Sequence, residues 1–465
     1  MHHTCVLLLA ALAWIVVPAT SKGQEPGSPL DRLVREALIR NADVAAALAR
    51  WEAARQEPAR VGSLVDPELM VQVIRFRDRG LGLQSEGETW YSLRQSVPFP
   101  GKLGLRSGVA RRESEMEGRG YDALRLDLVQ AVRLAYYRVL HADALEHVAR
   151  ENQALMERAM EIARTRYEVG SAPQQELLLA RLERTRIAND LADYRRMRGV
   201  ASAELDALLS RPVTVASMGR ESAGGVLGDD DLEAAVADVR EAAPDLDSLQ
   251  ARALSQRPEI AGARLATARD TLSIRLAHKE YLPDFVLGLE YWVGEGENPS
   301  PRPDERYVLD VGITVPWIWK GQHDAAVRQA RARARASGSG LEQAINQVRR
   351  EVETAVAEVG AAAERVRNFE DAILPEAGLN LQGATEAYQT GEAGFLTLLD
   401  SQRSLNELRI AYHTERIELL MAGARLQRAV GDAPLVGGSL EAGGPAPGAP
   451  RPEREPSSAA LEEVR

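Results

Sequence analysis

The sequence repeats itself, and this internal repeat constrains the fold more than any other feature. Three landmarks recur in the same order, at a separation of about 220 residues. The matches are Pro67-Glu68-Leu69 with Pro283-Asp284-Phe285, Val97-Pro98-Phe99 with Val315-Pro316-Trp317, and Tyr167-Glu168-Val169-Gly170 with Tyr388-Gln389-Thr390-Gly391. The chain is therefore predicted to contain two tandem copies of one structural unit.

Each copy contains two segments with the alternation of β-strands. They lie at about 66–76 and 89–99 in the first copy, and at about 284–293 and 307–316 in the second. Apolar and aromatic residues occupy one face and mostly small or polar residues the other, which is typical of strands in a membrane barrel. An ordinary antiparallel sheet with one buried face is the alternative. Two matched hairpins favour the barrel, because the apolar run from Val6 to Val17 also predicts that the protein is exported.

Four strands are too few to close a barrel, because small barrels need about eight. Open strand edges are also costly in lipid, where no water satisfies their backbone groups. If these strands face lipid, several chains must pool them, so we expect an oligomer.

Long helical segments follow each strand pair. They are predicted at about 101–168 and 174–209 in the first copy, and at about 320–388 and 394–430 in the second. The first runs without proline from Gly101 to Glu168, long enough for a rod of about 100 Å. Pro375 predicts a bend near Leu374 in the second copy. Shorter helical segments, roughly 30–61 and 246–281, precede the strands. The fold class is mainly α with a small β part.

The remaining segments define the ends of the two repeats. An apolar run from Val6 to Val17, followed by small residues, predicts a signal peptide over residues 1–21, cleaved after Ala19 or Ser21. Cys5 is the only cysteine and would leave with that peptide, so no disulfide is expected. Repeat 1 then spans 22–210 and repeat 2 spans 247–431. A linker is predicted at 211–246, and a disordered tail at 432–465.

Composition argues against several classes of function. The net charge of −11 disfavours a nucleic-acid partner. The histidines show no i,i+4 pairing of the kind that binds zinc, and no catalytic grouping is indicated by spacing. We therefore expect no metal site, no cofactor and no enzymatic activity.

Two helix–turn–helix segments carry a family resemblance. They read RTRYEVGSAPQQELLLARLERTR (164–186) and LPEAGLNLQGATEAYQTGEAGFLTLLDSQRSLNELRIAY (374–412). In both, an aromatic residue precedes a glycine by three positions, and a leucine pair opens the returning helix. This doubled motif resembles the TolC-like outer-membrane factor family. QSVPFPGKLGLR (95–106) is similar to the strand-to-helix junction of heavy-metal-efflux members of that family.

The resemblance implies a homotrimer in the outer membrane of a Gram-negative-type cell. Its pooled strands would form a 12-stranded β-barrel in contact with outer-membrane lipid, and its helices an α-helical barrel in the periplasm. The partners would be a periplasmic adaptor and an inner-membrane pump. The tip residues implied to meet the adaptor are Tyr167, Gly170, Ser171, Tyr388, Gly391 and Glu392.

The resemblance also implies an aperture that acidic side chains narrow at the tip. Asp400 stands nine residues after Gly391, where the family has such an acid, whereas the position three residues earlier is Thr397. In the first copy, Glu176 follows Gly170 by six residues. A three-fold ring of Asp400 would attract cations and repel itself. A solvated aspartate on a helix face is the alternative.

Three functional hypotheses stand at this point. The first is a passive efflux conduit, and the second is a conduit for protein secretion of type I. The third is a soluble periplasmic coiled-coil scaffold or adaptor, which would need the helices but not two lipid-facing hairpins.

Overall fold

A computed structural model describes residues 28–75, 87–211, 236–237, 239, 245–294 and 304–432. The predicted signal peptide, most of the predicted linker and all but the first residue of the predicted tail lie outside these residues. So do most residues of the two hairpin loops.

Each repeat begins with a pair of helices where the sequence analysis expected one segment. Repeat 1 has α1 (Pro29–Arg40) and α2 (Ala42–Gly62), and repeat 2 has α5 (Leu246–Gln256) and α6 (Pro258–Lys279). The residues between the helices have almost the same extended backbone, with φ/ψ of −64°/127° at Asn41 and −65°/125° at Arg257. The Asn41 side chain caps α2 by accepting from the amides of Asp43 and Val44.

The long helices of repeat 1 are α3 (Lys102–Glu168) and α4 (Gln174–Leu208). α3 has 67 residues, which corresponds to a rod of about 100 Å. No helix in the described parts of the chain is both long and apolar enough to cross a bilayer.

Repeat 2 divides its outgoing path over about 320–388 next to Leu374, where Pro375 predicted an interruption. α7 (Lys320–Asn368) is followed by a single π-helical turn (Phe369–Ile373), then by α8 (Leu374–Thr390). Pro375 supplies the physical reason, because its ring and its missing N–H disrupt the hydrogen bonds of the preceding turn. α9 (Phe395–Val430) returns alongside.

The two hairpins form one antiparallel sheet in the order β1-β2-β3-β4. The strands are β1 (Glu68–Arg75), β2 (Gly87–Val97), β3 (Phe285–Gly294) and β4 (Asp304–Ile313). β2 pairs with β3 and so joins the two repeats. β4 begins and ends three residues before its predicted bounds of about 307–316. Pro316 cannot donate to a ladder, and a short 3₁₀-helix (Pro316–Trp319) starts there.

The buried core consists of thin clusters between helices. The largest joins both repeats through α1, α3, α7 and α9, and contains fully buried Val132, Tyr136 and Leu419. A second cluster lies nearer the helical turns and contains Met156, Ile187 and Phe395. Val236, within the predicted linker, is helical and belongs to the largest cluster. The helices thus pack as a long, narrow bundle with the sheet at one end.

Candidate functional site

Two helical turns lie at the end of the bundle farthest from the sheet. In the first, between α3 and α4, Gly170 has a φ of 73°. The Ser171 amide and the Ser171 hydroxyl both donate to the carbonyl of Arg166, at 2.8 and 3.0 Å. These bonds satisfy a carbonyl that the end of α3 leaves free, and glycine tolerates the left-handed conformation that they require. Tyr167, Gly170 and Ser171 are all exposed.

The second turn, between α8 and α9, is built in the same way. Gly391 has a φ of 83°, and the Glu392 amide donates to the carbonyl of Ala387 at 2.9 Å. A Cβ atom added at Gly391 would meet nothing within 4 Å, so the backbone, and not crowding, requires glycine here. Gly391 and Glu392 are exposed.

Tyr388 is placed differently from the other predicted contact residues. It is only 2% exposed, packed edge-on against Phe395 with ring centroids 5.7 Å apart. Its hydroxyl donates to Glu176 Oε2 at 3.0 Å. Arg166 donates to the Tyr388 carbonyl at 3.1 Å, and its guanidinium carbon lies 4.5 Å from the centre of the ring. Tyr388 therefore joins the tip of repeat 2 to that of repeat 1.

This placement distinguishes Tyr388 and Glu176 from the exposed tip residues. Tyr388 is not on the surface of the single chain, because neighbours from both repeats enclose its ring. Glu176 is half-buried and engaged by the Tyr388 hydroxyl. Burial, together with the bond to Glu176, raises the pKa of Tyr388 above its ordinary value, so the hydroxyl stays protonated and can donate.

The other two aperture candidates lie on the first turns of α9. Thr397 is exposed, and the Asp400 side chain is 64% exposed. Arg403, one helical turn further on, lies 3.9 Å from Asp400 and 2.5 Å from Glu183 of α4. The buried Glu183 thus engages the arginine more closely than Asp400 does, and Asp400 is left facing solvent with its charge only partly balanced.

Arg166, Glu183 and Arg403 are residues that the sequence analysis did not single out. Each contacts a residue of the other repeat. Helical spacing shows which residues share a face of one helix, but it does not show which charged residue reaches across to a neighbouring helix. Their proximity to the two turn motifs was the only available signal.

A second candidate surface is the outer face of the sheet. This face carries a row of tyrosines and, two residues further along the strands, a row of leucines. The paired tyrosines are Tyr91, Tyr291 and Tyr307, and the paired leucines are Leu93, Leu289 and Leu309. Leu69, Tyr307, Leu309 and Val311 are each at least 68% exposed. Such a continuous apolar face does not fit an aqueous environment.

The opposite face of the sheet is mostly polar or small, although Trp90 and Trp292 are in contact on it. Arg94 lies 3.2 Å from Glu290 on the adjacent strand, and the Arg306 guanidinium lies 4.8 Å from the centre of the Trp292 ring. Gly288 faces Asp310, whose Cβ would be 3.0 Å from a Cβ at position 288. The sheet thus separates an apolar face from one suited to water.

Aromatic residues border the apolar face at both ends. The tyrosine row marks the end nearer the hairpin loops, and Phe99, stacked on Phe285, marks the end nearer the helices. Tyr291 and Phe285 are six residues apart, which is about 20 Å along a strand. This height is close to the apolar band of about 25 Å that membrane strands show between their aromatic girdles.

Comparison with known sequences agrees with this architecture. The family model described as outer membrane efflux protein matches residues 33–211 and 249–432, that is, both repeats. The chain belongs to the outer membrane efflux protein family. It is therefore an outer-membrane protein, with helices that extend into the periplasm.

Individual relatives are more distant. The chain is 26% identical to the pyoverdine export outer membrane protein OpmQ of Pseudomonas putida, over 86% of this chain and 85% of that protein. It is 23% identical to the cobalt-zinc-cadmium resistance protein CzcC of Cupriavidus metallidurans, over 72% of this chain and 75% of that protein. The solved outer-membrane channel OprN shares the fold, with a TM-score of 0.71, 19% identity, and coverage of 87% of this chain and 90% of that one.

Within the described residues, no group of three or more histidine, cysteine, aspartate or glutamate side chains is arranged to hold a metal ion. The relatives are transport proteins, and the family match agrees with the expectation that this chain is one as well. Arg403 pairs with Glu183 near the tip, and Arg94 pairs with Glu290 on the inner face of the sheet.

Proposed function

We propose that the chain is one subunit of a homotrimeric, passive conduit that crosses the outer membrane and the periplasm. The sheet would contribute four strands to a pooled barrel of twelve, and the long helices would line a periplasmic tunnel. The conduit itself would hydrolyse nothing. An inner-membrane pump would supply the energy and a periplasmic adaptor the connection.

The observation that carries this proposal is the form of the sheet. Its outer face is apolar and exposed, its inner face is mostly polar or small, and β1 and β4 each pair on one side only among the described strands. Open edges cost free energy in lipid, because water does not satisfy their N–H and C=O groups. Three copies placed edge to edge satisfy every strand, and all neighbours remain antiparallel.

The helical turns are the proposed gate and the adaptor contact. Tyr167, Gly170 and Ser171 in one turn, with Gly391 and Glu392 in the other, expose backbone and side chains at the same end of the molecule. Tyr388 and Glu176 would hold the two turns together in the resting state. An adaptor that binds the exposed residues would separate them. Three copies of Asp400 around the axis would form a cation-selective ring that narrows the aperture.

Small solutes are the proposed cargo class. The names of the two relatives describe export of pyoverdine and resistance to metal ions. Small solutes of this kind can pass through a narrow tunnel with a charged aperture. The relatives' names therefore favour efflux over the alternative of protein secretion. Metal-ion efflux also agrees with the similarity of residues 95–106 to heavy-metal-efflux members.

The first test is the location and mass of the purified protein. We expect it in the outer-membrane fraction, soluble only with detergent, and with the mass of three chains plus bound detergent. Reconstituted in a planar bilayer, it should conduct ions and prefer cations, and Asp400→Asn should reduce that preference. A monomer in the soluble fraction would contradict the proposal and favour the periplasmic scaffold.

A further inference from the structure

Lys102 lies in a closed pocket at the junction where β2 leads into α3. Its side chain is only 2% exposed. The ammonium group lies 2.8 Å from Asp284 and 3.1 Å from Glu280, and donates to the carbonyl of Leu282 at 2.9 Å. All three partners belong to the segment of repeat 2 that leads into β3.

The backbone and an aromatic ring complete this junction. The Phe99 amide donates to Asp284 Oδ1 at 2.7 Å. The Phe99 ring stacks on the Phe285 ring, with the ring centroids 6.3 Å apart. The strand-to-helix segment of repeat 1 is thereby fixed to the helix-to-strand segment of repeat 2. A buried lysine with two carboxylates and a carbonyl has its hydrogen-bonding capacity filled.

The same segment recurs in repeat 2 without a gap. Residues 97–102 read VPFPGK and residues 315–320 read VPWIWK. Lys320 therefore corresponds to Lys102, and Trp317 to Phe99. In the described single chain, however, Lys320 is exposed, and Trp317 is 56% exposed. The two lysines differ because residues of repeat 2 cover Lys102, whereas no described residue of the same chain covers Lys320 in this way.

The segment that would cover Lys320 is also present and exposed. Pro67-Glu68 in repeat 1 matches Pro283-Asp284 in repeat 2, and Asp66 stands immediately before that proline. Asp66 and Glu68 are both exposed at the start of the edge strand β1. The apolar residues Leu64 and Val65, 47% and 66% exposed, precede them. An exposed cation with an exposed tryptophan thus lies at one edge of the molecule, and two exposed acids beside apolar residues at the other.

We propose that Lys320 packs against the adjacent subunit and pairs there with Asp66 and Glu68 of the partner subunit, while Trp317 covers the start of that subunit's β1. The internal junction at Lys102 is the template for this contact, and the second copy of the chain is its occupant. The inference rests on the proposed trimer and names the contact that joins neighbouring subunits, which we call the lock. The lock also fixes how the subunits are arranged, because β4 of one chain must lie beside β1 of the next.

The acidic partners proposed for Lys320 differ from those of Lys102 at one position. The position of Glu280 corresponds to an uncharged residue of repeat 1, whether Gly62 or Leu64, since the match to repeat 2 shifts by two residues in this region. The pair Asp66 and Glu68 replaces the pair Glu280 and Asp284, so two carboxylates face one lysine in both junctions. Because either acid can be the nearer one, both are tested.

Chemical cross-linking between introduced cysteines tests the contact directly. Cys5 is the only cysteine of the sequence, so a Cys5→Ser chain provides the background. Lys320→Cys is combined with Asp66→Cys or with Glu68→Cys, and the detergent-solubilised protein is treated with a short bis-maleimide. Lys102→Cys with Asp284→Cys is the matched control, since that pair lies within one chain.

We expect at least one Lys320 pair to give covalent dimers and trimers on a denaturing gel, and the Lys102 pair to give only monomers. Charge reversal is the second measurement. Lys320→Glu should eliminate the trimer from the native mass spectrum, and adding Asp66→Lys and Glu68→Lys should restore it.

The outcomes separate this inference from the proposed function. If the background protein is a trimer but both Lys320 pairs stay monomeric, the lock is wrong and the conduit stands. If charge reversal leaves the trimer intact, the lock is also wrong. If the background protein is itself a monomer in detergent, both the lock and the trimeric conduit fail.

Discussion

The two repeats have the same elements, yet equivalent residues stand in different surroundings. Lys102 is buried against repeat 2, whereas Lys320 is exposed. Tyr388 is buried between the repeats, whereas its counterpart Tyr167 is 43% exposed. The difference teaches that position within the chain, as much as residue type, decides what a duplicated motif does. One copy of each motif contacts the other repeat, and the second copy is exposed in the single chain.

The outgoing helices show a second difference. α3 runs unbroken for 67 residues, whereas the corresponding path in repeat 2 is divided by a π-helical turn before α8. Both paths nevertheless reach the same level, since Tyr388 meets Arg166 and Glu176. A long rod can therefore tolerate an irregular turn if its neighbours continue to pack against it.

Replacing Lys102 or Lys320 with methionine should give the largest difference in stability between the two repeats. Lys102→Met leaves Asp284 without its lysine and leaves Glu280 paired with Arg106 alone. It should cost about 4 kcal/mol, the range for breaking a buried ion pair. Lys320→Met should change the free energy of unfolding of the isolated chain by less than about 0.5 kcal/mol, as exposed substitutions do. Urea unfolding measures both in an Asp66→Lys, Glu68→Lys background, which the proposed contact between subunits predicts to be monomeric in detergent. Equal costs would show that the two junctions do not differ as described.

The cause of the Lys102 effect is visible at Asp284. Burial raises the pKa of Asp284, but the hydrogen bonds from Lys102 and from the Phe99 amide outweigh burial and hold that pKa below its ordinary value. Removing the lysine takes away one of these hydrogen bonds and the nearby positive charge, while the bond from the Phe99 amide remains. An Asp284→Asn change added to Lys102→Met should therefore recover part of the lost stability.

Proline scanning addresses the two outgoing helices. Ala154 in α3 corresponds to Pro375 in repeat 2, by the spacing of the two turn glycines. Ala154→Pro should cost about 3 kcal/mol, because proline removes a hydrogen bond and clashes within a regular helix. Pro375→Ala should cost less than about 1 kcal/mol, since the irregular turn is already accommodated. Thermal unfolding followed by circular dichroism compares them, and a costly Pro375→Ala would show that the π-turn is required.

The sequence predicted the features that depend on neighbouring residues in the chain, and missed those that depend on contacts between distant residues. Alternation and proline-free helical spacing are local, so the strands and long helices were found at nearly their observed positions. Asp304, Glu305 and Arg306 are polar and gave no strand signal, yet they extend the ladder opposite Gly294, Val293 and Trp292. Contacts across the repeats were the main omission. Nothing in the Tyr-x-x-Gly pattern distinguishes buried Tyr388 from exposed Tyr167.

Acid titration compares the second residues of α2 and α6, Asp43 and Glu259. Glu259 is bound by Arg257 and Arg428. Burial alone would raise its pKa, but these bonds lower it from 4.5 to about 2. Glu259→Gln should cost about 2 kcal/mol at neutral pH, as expected for hydrogen bonds between charged groups, whereas exposed Asp43→Asn should cost much less.

The pH dependence of Glu259→Gln follows from the direction of that shift. A carboxylate with a lowered pKa in the folded state stabilises the protein fully above its unfolded value of 4.5, and this contribution disappears as the pH falls toward 2. The difference between wild type and Glu259→Gln should therefore shrink between pH 4.5 and 2. A difference that stays constant over this window would mean that the effect comes from packing and not from charge.

The smallest effect on stability is expected at the tip, where the consequence for transport is the most informative. Tyr388→Phe removes the hydrogen bond to Glu176 and keeps the ring in place, at a cost of about 1 kcal/mol. Tyr167→Phe, at the equivalent exposed position, removes no hydrogen bond to the other repeat and should be neutral. If Tyr388 holds the turns of the two repeats together, Tyr388→Phe should raise single-channel conductance in a planar bilayer while Tyr167→Phe leaves it unchanged. A higher conductance in both variants would point to a general loosening of the tip, and an unchanged conductance in Tyr388→Phe would show that this hydrogen bond does not restrict the opening.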